Sequence, residues 1–179
     1  MRQRRVNRNT RVCSIIGYTN SGKTTLLKQL SKDQNIKPKD ELFATLSPVS
    51  RTVYLGNGKQ AVFNDTVGFI RKLPHNIIES FKATLEEITY SDLIIHVIDS
   101  SDTNWKEKMQ AADVVLKSID GLEIPKMTVF NKIDLLNAEE RELLQYSHPN
   151  YSFISSVTKK GLDELKEDVL KFFEEHSDK

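Results

Sequence analysis

The chain has 179 residues, 38% of them hydrophobic, with 26 basic and 25 acidic side chains and a net charge of +1. That length supports one substantial core and is short for two ordinary domains, while the balanced charge gives no bulk case for nucleic acid or a membrane surface as partner. The single cysteine, Cys13, excludes a disulfide framework, and there is neither an apolar run near the roughly 20 residues that span a bilayer nor the apolar core of a secretory signal, so a cytoplasmic location is expected.

The first residues are basic: Arg2, Arg4, Arg5, Arg8 and Arg11 precede any acidic residue, the first being Asp33. Residues 1–10 read as a basic linker remnant or solvated tail, with an RNA-contacting arm as the alternative. Residues 11–179 read as one globular domain.

From there short apolar runs alternate with longer helical patterns. Val12–Ile16 precedes the helix-like Thr24–Leu30, Leu93–Ile98 precedes Trp105–Ile119, Met127–Phe130 precedes Ala138–Tyr146, and Tyr151–Ile154 precedes Leu162–Phe173. That alternation predicts an α/β fold with a mostly parallel six-stranded sheet and helices on both faces. Arg51–Leu55 and Ala61–Phe63 are joined across Gly56-Asn57-Gly58, a hairpin signal, so one strand is expected to run antiparallel. Trp105, Met109, Ala112, Leu116 and Ile119 form a core stripe, as do Leu162, Leu165, Val169 and Phe172. A further stripe, Ile78, Phe81, Leu85 and Ile88, predicts a helix after Pro74, with His75 and Asn76 as candidate caps.

Between the first strand and helix lies Gly17-Tyr18-Thr19-Asn20-Ser21-Gly22-Lys23-Thr24, a GxxxxGK[ST] phosphate loop. Its glycines let the backbone curl so that successive N–H groups face phosphate oxygens at a helix start. Lys23 reaches the β- and γ-phosphates, and Thr24 offers its hydroxyl to the Mg²⁺ that bridges them. A structural turn would explain the glycines but not Lys23. With Thr25, these residues make the phosphate-binding set.

Asp65-Thr66-Val67-Gly68 follows a strand, where Asp65 can hold Mg²⁺ through water and Gly68 can bring its N–H to a γ-phosphate. Asn131-Lys132-Ile133-Asp134 follows another strand, at the sheet edge where open α/β folds bind ligands. An ionised Asp134 accepts from the ring N–H and exocyclic amine of guanine, whereas adenine offers no matching pair of donors and leaves the carboxylate unpaired. Asn131 braces that loop and the Lys132 stem covers one face of the base. Ser155-Ser156-Val157, after the last strand, lies where a backbone amide can meet guanine O6. His96 reads as a packed core histidine.

Together, GYTNSGKTTL, LFATLSP, DTVGFIRKLPH, FKATLEEI, SDLIIHVIDSSD and NKID resemble the HflX family of GTPases across residues 11–175. The resemblance implies the P-loop GTPase fold, GTP and GDP as ligands, and a monomeric, ribosome-associated protein that engages the large subunit and, in some members, splits ribosomes. It also implies that the arginine-rich start is the tail of a linker from an upstream domain. Thr45 aligns with the switch threonine that ligates Mg²⁺, so Lys23, Thr45 and Gly68 are the expected catalytic residues and Thr24, Thr45 and Asp65 the metal ligands. Ras-like proteins carry a water-orienting glutamine where this chain has Phe69, which cannot hydrogen-bond to water. Slow intrinsic hydrolysis is expected, completed by a partner or a monovalent cation. Asn20 stands where some potassium-dependent relatives place a K⁺ ligand, with loop bracing as its other role. The alternative function is a nucleotide-gated ribosome- or RNA-binding module with negligible turnover.

Overall fold

The first apolar run enters the centre of a sheet. In the computed structural model, which describes residues 10–32, 49–66, 85 and 87–176, it forms strand β1 (Arg11–Gly17). Cys13 and Ile15 pack on one face of the sheet and Ile16 on the other, the two-residue alternation that a strand imposes. Helix α1 (Lys23–Ser31) follows, buries Leu26, Leu27 and Leu30, and ends at Lys32 in the left-handed conformation.

Strands β2 (Val49–Gly56) and β3 (Lys59–Asp65) form the expected hairpin, with Val53 opposite Ala61 and Arg51 opposite Phe63. The turn is tighter than the Gly-Asn-Gly run suggests: two residues, Asn57 and Gly58, make it, both at positive φ (52° and 72°). Such a turn matches the right-handed twist of the flanking strands.

Strand β4 (Leu93–Asp99), helix α2 (Trp105–Ser118), strand β5 (Lys126–Asn131), helix α3 (Ala138–Ser147), strand β6 (Ser152–Phe153) and helix α4 (Leu162–Glu175) complete the alternation. The sheet order is β2-β3-β1-β4-β5-β6, with β2 antiparallel to β3 and the other pairs parallel, as the alternation predicts. Helices α1 and α4 cover one face and α2 the other. β4 is buried on both sides, hence its apolar sequence, broken only by His96 and the closing Asp99.

Two details differ from the sequence reading. β6 is only two residues long, because after Ile154, whose N still donates to Phe130 O at 2.8 Å, the chain turns into the Ser155 loop. In α4 it is Phe173 that enters the core, while Phe172 is half-buried and stacks on His176 at 4.3 Å between centroids. Of the stripe expected after Pro74, Leu85 and Ile88 are buried, Ile88 within a short 3-10 turn (Glu87–Tyr90); Ile78, Phe81, His75 and Asn76 lie outside the described residues. No helix among the described residues is long and apolar enough to cross a membrane.

Candidate functional site

Parallel pairing puts the carboxyl ends of β1, β3, β4, β5 and β6 on one edge of the sheet. Gly17, Asp65, Asp99 and Asn131 are the last residues of β1, β3, β4 and β5, and Ser155 and Ser156 follow β6. β1 has β3 on one side and β4 on the other, so the loop after it opens at the point where the strand order reverses, the usual ligand crevice of an open α/β sheet.

The loop is built tightly. Gly22 sits at φ 95°, and a Cβ there would lie 2.2 Å from Asn131 Nδ2, so both its backbone conformation and its closeness to Asn131 require glycine. Asn20 stands exposed at φ 62°. Lys23 is buried and donates to Tyr18 O at 2.9 Å, folding its ammonium back over the loop. Burial lowers its pKa to about 8, with the Asp65 carboxylate pulling the other way. Thr24 Oγ1 donates to Asp65 Oδ2 at 2.6 Å, which brings together two of the expected metal ligands. Asp65 is fully buried, and Thr66 anchors the strand end by donating from Oγ1 to Ile15 O at 2.7 Å.

Asn131 joins three sequence motifs. It is 1% exposed; its Nδ2 donates to Ser21 O in the phosphate loop at 2.9 Å, and its Oδ1 accepts from both N and Oγ of Ser156 at 3.0 Å. Its own carbonyl accepts from Ser100 N at 2.9 Å and Ser100 Oγ at 2.7 Å. The brace expected of Asn131 therefore spans from the phosphate loop to the serine loop. Lys132 has φ 65°, and its Nζ pairs with Asp99 Oδ2 at 2.7 Å. Asp134 lies exposed in a short 3-10 turn (Ile133–Leu135).

The serine loop refines the expectation for guanine O6. Ser155 N donates to Lys160 O at 2.9 Å and Ser156 N is committed to Asn131. Of the three amides, Val157 N alone makes no hydrogen bond among the described residues. Thr19 and Thr25 are half-buried at the loop and the first turn of α1. Thr45, Gly68, Phe69 and Val67 lie outside the described residues. The clasp of Asp99 and Ser100 on the Asn131–Lys132 turn was not read from sequence. The only signal for it was a polar Asp-Ser-Ser run at the end of an apolar strand.

A cleft runs beside the phosphate loop toward the start of α2, lined in part by Tyr18, Ser21, His96 and Trp105. His96 Nδ1 and Ser21 Oγ are buried there without hydrogen-bond partners among the described residues. Burial lowers the His96 pKa to about 4; Lys126 and Lys23 add to the shift and Asp113 opposes it. No group of three or more His, Cys, Asp or Glu able to hold a metal occurs among the described residues.

Fold and loop together define a P-loop nucleotide-binding protein of the GTPase class. The profile of the family described as "50S ribosome-binding GTPase" matches residues 12–132. GTPase HflX of Caldanaerobacter subterraneus subsp. tengcongensis is 44% identical over 168 residues, 94% of this chain and 38% of that protein. GTPase HflX of Escherichia coli is 39% identical over 166 residues, 92% of this chain and 39% of that protein. A GTP-binding protein from Sulfolobus solfataricus, solved in complex with GDP, aligns with a TM-score of 0.69 and 31% identity over 90% of this chain and 51% of its own. The chain belongs to the 50S ribosome-binding GTPase family, in its HflX branch. It spans 38% and 39% of the lengths of these two HflX relatives.

Proposed function

We propose that residues 11–179 form a GTPase domain that binds a guanine nucleotide with Mg²⁺, hydrolyses GTP slowly on its own, and acts as the monomeric, cytoplasmic switch of a protein that docks on the large ribosomal subunit. The observation that carries the reading is the Asn131 side chain, bonded at once to the phosphate loop and to Ser156. It supports the reading by tying residues 17–24 to residues 155–157, the two loops that a bound nucleotide would span.

In this reading the loop amides and Lys23 hold the phosphates, Asp134 accepts from the guanine edge, the Lys132 stem covers the ring and Val157 N meets O6. Thr24 and Asp65 fit Mg²⁺, since both offer hard oxygen donors and they stand in direct contact. When bound, the ion neutralises charge building on the phosphates. Thr45 and Gly68 complete the γ-phosphate contacts, and Phe69 leaves the attacking water to be oriented by a ribosomal partner or by a K⁺ held near Asn20.

Asp134→Asn tests the base site. The variant should keep its fold and lose preference for GTP over xanthosine triphosphate, and an unchanged preference would remove the assignment. Single-turnover hydrolysis in potassium buffer, with and without purified large subunits, tests the partner. Stimulation is expected, whereas equal slow rates would leave the domain without a ribosomal contact of its own.

A further inference from the structure

We propose that Asp99 is the positioning residue of the base-recognition loop: it holds Lys132 so that the lysine stem is already set where guanine stacks. The inference rests on the guanine-pocket reading above.

Asp99 ends β4 directly beside Asn131 of β5. One carboxylate oxygen, Oδ1, accepts from Ser101 N at 3.0 Å and Ser101 Oγ at 2.6 Å, which fixes the orientation of the carboxylate. The other, Oδ2, takes the Lys132 ammonium at 2.7 Å. Both side chains are about one-fifth exposed, at 20% and 21%, so the pair is shielded more than a surface ion pair. The neighbouring acid, Asp102, is already paired with Lys108 and is not free to replace it.

Lys132 is constrained at its backbone as well. Its left-handed φ of 65° is a conformation that side-chain-bearing residues hold only when their surroundings impose it. Here Ser100 imposes it through two bonds to the Asn131 carbonyl. Two consecutive residues, Asp99 and Ser100, thus grip two consecutive residues, 131 and 132, while Ser101 orients the Asp99 carboxylate. A lysine tethered at both ends gives up its rotamer freedom when the protein folds, not when the nucleotide arrives, and binding gains what would otherwise be spent on ordering it.

The test is GDP dissociation from the wild type, Asp99→Asn, Lys132→Met and the double variant, followed with a fluorescent GDP. Asp99→Asn should speed dissociation roughly threefold to tenfold, and the double variant should be no faster than Lys132→Met alone. The affinity ratio of GDP to inosine diphosphate should stay constant, because the exocyclic amine is read by Asp134 and not by Lys132. An unchanged dissociation rate in Asp99→Asn, losses that multiply in the double variant, or a lowered melting temperature without faster dissociation would each overturn the proposal. A wild type that binds ADP as tightly as GDP would instead overturn the base-pocket reading beneath it. Ser101→Ala, which deletes a single bond to Oδ1, should move dissociation in the same direction by less, and serves if Asp99→Asn folds poorly.

Discussion

His96 shows how one residue can tax the fold that holds it. The imidazole sits 2% exposed in β4, and burial, with Lys126 and Lys23 adding and Asp113 opposing, lowers its pKa from 6.5 to about 4. Between those values the unfolded chain binds a proton that the folded chain refuses, so stability is complete above about pH 6.5 and falls as the pH drops toward 4. The shift is worth about 3 kcal/mol in full, and about 2 kcal/mol of it should be lost between pH 7 and pH 5. Urea unfolding at the two pH values should show that loss in the wild type and a shallower dependence in His96→Leu; equal slopes would mean that the ring is protonated in the folded state. The sequence placed His96 in the core but could not give its partners, because those depend on what α2 and the phosphate loop bring to that face. The same holds for Asp99 and Lys132, 33 positions apart. Their meeting follows from strand register, which no local pattern carries. The brace made by Asn131 was legible because the Asn-Lys-x-Asp run is a local pattern.

The β2–β3 hairpin separates the conformational need for glycine from the spatial one. Gly58 has φ 72°, and a Cβ there would meet nothing within 4 Å. Gly58→Val should therefore cost about 1–2 kcal/mol from backbone strain alone, without a packing clash, measured by chemical denaturation. A cost near zero would show that the turn relaxes to another type. The hairpin was readable because turn residues flanked by β-branched strands are a local signal. α4 was less so: Phe172 and Phe173 are adjacent, and either fits an apolar stripe at helical spacing. The sheet decides, since Phe173 is 5% exposed within the cluster of β1, α1 and α4. β6 was overestimated because its apolar run continues through Ile154, which is buried and donates from N to Phe130 O at 2.8 Å but lies one residue past the strand.

For the molecule as a whole, a ligand that ties the ends of five strands to the loops above them should stabilise the entire fold. GDP with Mg²⁺ at a hundredfold excess over Kd should add about 2.7 kcal/mol and raise the melting temperature by roughly 5–10 °C, while ADP at the same concentration should not. Equal shifts from both would contradict the base pocket. The opposite pole of the sheet carries a different kind of contact. Arg11, the first residue of β1, donates to His176 O at 3.2 Å, pairs with Asp92 at 3.5 Å and lies over the Phe173 ring. Residues 11 and 176 thus lie side by side, a β1 length of about 20 Å from the sheet edge that carries the phosphate loop. Such a unit can be spliced into a host protein at a single surface point, or closed there by a short tether and reopened at the Asn57–Gly58 turn, and its phosphate loop would be left where it stands.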